Sequence, residues 1–174
     1  MTTRILVAYG TKNGSTAGIA STIAEALSEQ GLQAEARPAA EVIEPAVYDA
    51  VVLGGALYAG RWPRDAVRFA RRHRRDLADR PVWLFSSGPL DASAGERDIP
   101  PVRGAARTAE LLDARGHITF GGCLLDGARG RIARMIIKQG RGGDFRDTGQ
   151  IRSWAQGVAS ELKELQVERG SEGR

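Results

Sequence analysis

Four of the six residues from Thr11 to Thr16 carry hydroxyl or amide side chains: Thr11, Asn13, Ser15 and Thr16. Just ahead of them, Ile5-Leu6-Val7-Ala8-Tyr9 reads as a buried strand. Just behind them, Ile19, Ala20, Ile23, Ala24 and Leu27 share one face of a helix. A strand, a tight polar loop and a helix start make an anion site. The first helical N–H groups have no intrahelical partner, and the helix dipole favours negative charge there. The four side chains add donors. The alternative is a helix cap with no ligand, but a cap usually takes one such residue, not four. Two familiar phosphate motifs are excluded. A P-loop places Lys directly after its second Gly, whereas Lys12 precedes Gly14. Gly10, Gly14 and Gly18 do not have the G-x-G-x-x-G spacing of a dinucleotide fingerprint. What remains suits a single terminal phosphate.

Two further loops carry chemistry. Gly54-Gly55-Ala56-Leu57-Tyr58-Ala59-Gly60-Arg61-Trp62 joins small residues to two aromatics. Glycines let a backbone approach a flat ring and hydrogen-bond its edge, and Tyr58 and Trp62 offer faces for stacking. A flavin's tricyclic ring needs this combination. Packing of the two aromatics on the following helix is the competing reading, with Trp62 read as packing or pocket rim. In Ser86-Ser87-Gly88-Pro89-Leu90-Asp91, the residues Ser87, Gly88 and Leu90 are expected to give backbone contacts at the pyrimidine end of such a ring.

These loops need a scaffold, and the hydrophobic pattern predicts one. Strands are expected at 4–9, 33–37, 50–55, 81–86 and 117–124. Helices are expected at 15–30 with Gly31 as the stop, from Pro63 to about Leu77, at 103–115 ending at Gly116, and at about 150–165. Residues 41–48 read as a loop or short helix interrupted by Pro45. Apolar strands alternating with helices indicate a parallel sheet covered on both faces. Five strands with a phosphate loop after the first fit the doubly wound order 2-1-3-4-5, in which the ligand lies at the switch between strands one and three. The expected organisation is one α/β domain over 1–166 and a polar, frayed tail over 167–174.

The 174 residues suffice for one domain with a sizeable core, at 42% hydrophobic and 26% charged. No apolar run approaches the roughly 18 residues that span a bilayer, and no cleavable leader pattern precedes the first strand, so the reading is cytoplasmic. Cys123 stands alone and reads as a small buried residue on a strand. His73 and His117 are given no catalytic role. Charge is uneven: residues 61–80 hold eight Arg against three Asp, and residues 126–152 hold seven basic groups against three Asp. Such patches steer anions or present a solvated face. No nucleic-acid module or aromatic-interleaved basic strand is present, so nucleic acid is not an expected partner.

Residues 126–147 exceed a plain connection. Arg131, Arg134 and Lys138 fall on one side of a short helix, with Ile132, Ala133, Met135, Ile136 and Ile137 elsewhere on it. A basic amphipathic element of this kind suits an anionic membrane surface, with peripheral contact through 128–141. Packing on its own domain is the alternative.

These motifs together resemble the flavodoxin-like superfamily, and within it the branch containing menaquinone-dependent protoporphyrinogen oxidase. The Thr11–Thr16 loop, the Gly55–Gly60 turn and Met135-Ile136-Ile137-Lys138-Gln139-Gly140-Arg141-Gly142-Gly143-Asp144 with Thr148 and Trp154 carry the resemblance, which covers essentially the whole chain. It implies FMN held without a covalent link. Thr11, Lys12, Asn13, Gly14, Ser15 and Thr16 are the implied phosphate positions. Ala56, Leu57, Tyr58, Ala59 and Gly60 are the implied ring positions, with Ser87 and Gly88. It implies no metal and no acid–base side chain, since the flavin carries the redox step. The expected function is an FMN-dependent oxidoreductase taking a quinone or a porphyrinogen-like small molecule. A flavodoxin-type electron carrier is the alternative, disfavoured by the basic charge. A flavin-free binding module is a third reading, and the intact first loop argues against it. Residues 91–101 match no pattern of the branch.

Overall fold

The computed structural model describes residues 2–11, 14–88, 93–124, 131–140 and 143–172. Lys12, Asn13 and Leu90, named above as candidate site residues, lie outside them.

Five strands form one parallel sheet: β1 (Arg4–Gly10), β2 (Gln33–Pro38), β3 (Ala50–Ala56), β4 (Val82–Ser87) and β5 (Gly116–Phe120). Their order is β2-β1-β3-β4-β5, as expected. Every residue of β3 and β4 is buried, as a parallel sheet covered on both faces requires. Alternate residues of each strand go to opposite layers. Ile5, Val7, Val52 and Phe85 pack with α1 (Ser15–Glu29) and α6 (Thr148–Glu172). Leu6, Leu53 and Leu84 pack with α2 (Arg64–His73) and α4 (Arg103–Leu112). A short α3 (Ser93–Glu96) lies in the segment that matched no pattern. Gln150 Nε2 donates to the Ala94 carbonyl at 2.8 Å, which ties that turn to α6.

Several boundaries differ from expectation for local reasons. The fifth strand stops at Phe120, not at residue 124. Gly121 lies so close under the Phe145 carbonyl that a Cβ there would sit 1.9 Å from the oxygen. Phe145 N–H donates to the Gly122 carbonyl at 2.9 Å. The chain therefore leaves the sheet, and β6 (Cys123–Leu124) pairs antiparallel with β7 (Gly143–Asp144). Cys123 is half-buried on this two-stranded ladder rather than a core residue of the main sheet, and burial pushes its thiol pKa up. The helix expected to end at Gly116 ends at Leu112. Asp113 takes the left-handed stop with φ 50°, and Gly116 opens β5. The helix expected to Leu77 ends at His73, with turns beyond it. The last helix runs to Glu172, well past 165, so the expected frayed tail is helical through that residue. The region read as interrupted by Pro45 forms two single-turn 3₁₀ helices, Ala39–Glu41 and Pro45–Val47. The helix expected within 126–147 is α5 (Arg131–Lys138), with Arg131, Arg134 and Lys138 exposed and Met135 52% exposed. No helix among the described residues is long and apolar enough to cross a membrane.

Candidate functional site

The three expected loops leave neighbouring strands at one edge of the sheet. Gly10 pairs with Gly55 and Ala56 pairs with Ser87 in the parallel register. The C-terminal ends of β1, β3 and β4 are thereby brought side by side at the switch point, where a doubly wound sheet binds its ligand.

At the first loop, Gly14 caps α1 with φ 80°, a left-handed conformation that glycine adopts without a steric penalty. Its N–H donates to Thr11 Oγ1 at 3.2 Å, and its carbonyl accepts from Ala17 N–H at 3.1 Å. Among the described residues no side chain caps the helix, and no acidic residue lies in its first turn. Thr16 is fully buried, and its Oγ1 has no hydrogen-bond partner among them. Ser87, at the end of β4, is buried with its Oγ likewise unpartnered. A buried hydroxyl without a partner carries the desolvation penalty of its lost water, on the order of 1–3 kcal/mol. Two such atoms, in the first turn of α1 and at the end of β4, fit an oxygen-rich ligand that supplies the missing partners.

At the second loop, Tyr58 and Arg61 exchange two backbone hydrogen bonds, of 3.0 and 2.9 Å. Ala59 (φ 48°) and Gly60 (φ 69°) between them both take positive φ. That is the pattern of a type I′ hairpin, which favours Gly or Asn at both central positions. Ala59 is the strained member. Leu57 N–H donates to the Ser87 carbonyl at 2.8 Å, and Gly88 N–H donates to the Phe120 carbonyl at 2.9 Å. These bonds knit the second and third loops to one another and to β5. Pro63 returns over the sheet edge, where a Cβ on Gly55 would lie 2.6 Å from its Cδ. The lack of a side chain at Gly55 permits this close approach.

Trp62 anchors the loop. Its indole is buried and its Nε1 donates to Ser86 Oγ at 3.0 Å; Ser86 Oγ lies 2.8 Å from His117 Nε2. An indole N–H only donates, so the Ser86 hydroxyl accepts from Trp62 and its own proton is free to go to His117. The tautomer that completes this chain carries its proton on Nδ1. Burial pushes the His117 pKa down to about 4, so the ring is neutral at pH 7.

Between the first and second loops opens a cleft of about 810 Å³. Thr11, Ala56, Tyr58 and Ala59 line it, as do Trp62 and Pro63. Arg61, Arg64 and Asp65 add a charged rim that was not singled out from the sequence. Of the first loop's described residues only Thr11 lines it; Gly14, Ser15 and Thr16 at the start of α1 do not, nor do Leu57, Gly60, Ser87 and Gly88. Ser86 and His117 were also missed as contributors. The signal for them is register. His117 pairs with Leu84, two residues before Ser86 on the same face, so the two side chains meet as diagonal neighbours.

The flavodoxin domain family matches residues 6–139 of this sequence, which include all three loops and the cleft. The chain belongs to the flavodoxin-domain family. Membership implies a flavin cofactor, and the unpartnered hydroxyls beside an aromatic-walled cleft fit one. Over 106 residues the chain is 30% identical to the protoporphyrinogen IX dehydrogenase (quinone) of Escherichia coli strain K12, a match covering 60% of this chain and 58% of that protein. The Escherichia coli O157:H7 protein of the same name matches equally. The chain thus aligns with little more than half the length of these curated relatives. A flavodoxin of Pseudomonas aeruginosa, solved as a cysteine-to-serine mutant, superposes with a TM-score of 0.61 over 92% of this chain and 99% of its own, at 17% identity. Rubredoxin oxygen:oxidoreductase of Desulfovibrio gigas gives 0.62 over 92% of this chain and 36% of its own, at 11% identity. At these identities the likeness is one of fold.

Proposed function

We propose that this flavodoxin-domain protein is an FMN-dependent oxidoreductase that passes electrons between a porphyrinogen-like small molecule and a quinone. The observation that carries the reading is the pair of buried, unpartnered hydroxyls, Thr16 Oγ1 and Ser87 Oγ, one in the first turn of α1 and the other at the end of β4. A phosphate at Thr11–Thr16 gives Thr16 an acceptor, and the N–H groups of the first turn of α1 meet its charge. Lys12, Asn13, Gly14 and Ser15 belong to the same cradle. Ala56, Leu57, Tyr58, Ala59 and Gly60 flank the flavin ring on one side, with Ser87, Gly88 and Leu90 at its pyrimidine end. When bound, FMN supplies the hydride or electron transfer, and the protein binds and orients it. The Tyr58–Arg61 hairpin, held by Trp62, fixes the ring wall before the ligand arrives.

The substrate class follows from the Escherichia coli relatives, whose name joins protoporphyrinogen IX and quinone. The rim agrees with it: Arg61 and Arg64 suit the carboxylates of a porphyrinogen, and Tyr58 offers an aromatic face for its pyrrole rings. Peripheral contact of 128–141 with a membrane surface belongs to the same reading. Arg131, Arg134 and Lys138 are exposed on α5 beside an exposed Met135, and a quinone is met at a bilayer. The second reading, a flavodoxin-type electron carrier without its own substrate, is disfavoured by the net charge of +4.

The test is anaerobic turnover of the FMN-loaded protein with protoporphyrinogen IX and a soluble menaquinone analogue. The expected result is quinone reduction that depends on the porphyrinogen. Bound flavin that shuttles electrons between protein partners but oxidises no porphyrinogen contradicts the enzyme reading and favours the carrier.

A further inference from the structure

Between residues 61 and 75 seven arginines stand exposed, with no carboxylate to meet them. α2 turns Ala66, Phe69, Ala70 and His73 inward, and the first three join the core with Leu6, Leu53 and Leu84. Its outer face is a ridge. Arg64, Arg68 and Arg71 follow one another at helical spacing, and all are exposed. The ridge runs on past His73. Leu77 N–H still donates to the His73 carbonyl at 3.1 Å, and that turn carries the exposed Arg75. Arg72 and Arg74 flank it and are exposed too. Ten helical residues span about 15 Å. At one end the ridge meets the cleft, which Arg61 and Arg64 line.

This charge is not neutralised within the fold. Among the described residues none of the seven arginines forms an ion pair. Asp76 turns to His73 instead, at 3.2 Å. Arg80 differs from the seven, because its guanidinium donates to the carbonyls of Tyr48, Asp76 and Ala46. Like charges three and four residues apart repel and weaken a helix, so the ridge works against the stability of the free protein. α4 in the same layer adds the exposed Arg103 and Arg107. The opposite layer has the opposite sign. α1 holds Glu25 and Glu29 and no basic residue, and α6 holds four Glu against two Arg and one Lys. The field of the molecule therefore orients an approaching anion toward α2, where the cleft opens at one end.

The chemistry of the ridge says what meets it. Every cation between residues 61 and 75 except His73 is an arginine, whose forked guanidinium matches a carboxylate with two parallel hydrogen bonds. Among the described residues between 48 and 110 no large apolar side chain is exposed. The face thus lacks the anchors that hold a permanent partner, and the apolar area by which an amphipathic helix enters a bilayer. Charge without anchors gives fast, weak and salt-sensitive association. Electron-transfer encounters behave in this way, and their interfaces are among the smallest of specific complexes. We infer that the α2 ridge is a docking surface for the acidic face of a small electron-transfer protein, which it seats with one edge at the cleft. The redox character of that partner rests on the reading of a flavin site above; the docking of an acidic protein does not.

The experiment passes the full chain, with no flavin added, over an immobilised acidic ferredoxin and follows binding by surface plasmon resonance. The parent is compared with a variant carrying Arg68→Gln, Arg71→Gln and Arg75→Gln, positions that do not line the cleft. The parent should bind, with an affinity that falls about tenfold between about 20 and about 200 mM NaCl. The variant should bind about tenfold more weakly at the lower salt. Its urea midpoint should be unchanged or higher, since repulsion along the ridge is relieved. No binding to the ferredoxin, or binding that the three substitutions leave intact, overturns the proposal. Capture of the chain by phosphatidylglycerol vesicles in place of the ferredoxin also overturns it, and makes the ridge a lipid-headgroup surface. A chain that binds the ferredoxin but takes up no FMN keeps the docking surface and overturns the flavin reading.

Discussion

Around Thr16, on the helix-start side of the site, a fully buried hydroxyl has no partner among the described residues. Around Trp62, on the hairpin side, polar atoms run in an unbroken chain from the buried indole through the buried Ser86 hydroxyl to the half-buried His117. The two sides also differ in backbone. Gly14 takes its positive φ at no cost, whereas Ala59 takes one against its preference and is held there by the paired Tyr58 and Arg61. The contrast separates two ways of building a binding site. The hairpin and its Trp62 anchor satisfy their own polar groups without a ligand, and the unpartnered Ser87 hydroxyl lies beside them at the end of β4. The helix-start side is left short of a partner, which on the reading proposed above the ligand would supply. Substitutions on the hairpin side should therefore lower stability and binding together, and substitutions on the helix-start side should move them in opposite directions.

The largest expected effect breaks the hairpin side by pH. His117 takes up its proton near 6.5 in the unfolded chain and near 4 in the folded one. Between these values the unfolded state binds more protons. The stability present above pH 6.5 is then lost as pH falls toward 4, by about 2 kcal/mol from this residue once solvent screening of a partly exposed ring is allowed for. Urea unfolding across that range should show the slope, and His117→Gln should remove its share of it. An identical pH profile in the variant would mean that His117 is not held neutral by its surroundings.

A smaller effect is expected from Trp62→Phe, which keeps a ring but removes the N–H that reaches Ser86. Loss of the buried hydrogen bond and some volume should cost about 1.5 kcal/mol in urea unfolding. FMN affinity should fall with it, since the hairpin loses its anchor. Lower stability with undiminished FMN affinity would separate the anchor from the ring wall and end the parallel between the two quantities.

Much of this arrangement is legible along the chain. The strands and helices of the sheet follow from runs such as Val51-Val52-Leu53 and from the spacing of Ile19, Ile23 and Leu27, because burial on one face or two imposes those periods. The three loops follow too, since polar and glycine-rich residues stand directly after the strands. What is not legible depends on distant pairing. Cys123 and Leu124 continue an apolar strand pattern, yet they leave the sheet because the Phe145 carbonyl occupies the space over Gly121. His117 gives no sign of its partner until β5 is set beside β4 in a definite register. Arg146 reads as one more arginine in a basic segment, and only the β6–β7 pairing brings it to Gly18.

Thr16→Val tests the contrast between the two sides most directly. Valine keeps the shape of threonine and removes the unpartnered hydroxyl. The ligand-free variant should be more stable by about 1 kcal/mol in urea unfolding, while its FMN dissociation constant should rise about tenfold. A ligand-free variant that is less stable than the parent, or one that binds FMN as tightly as before, would contradict the claim that Thr16 is left short for a ligand to complete.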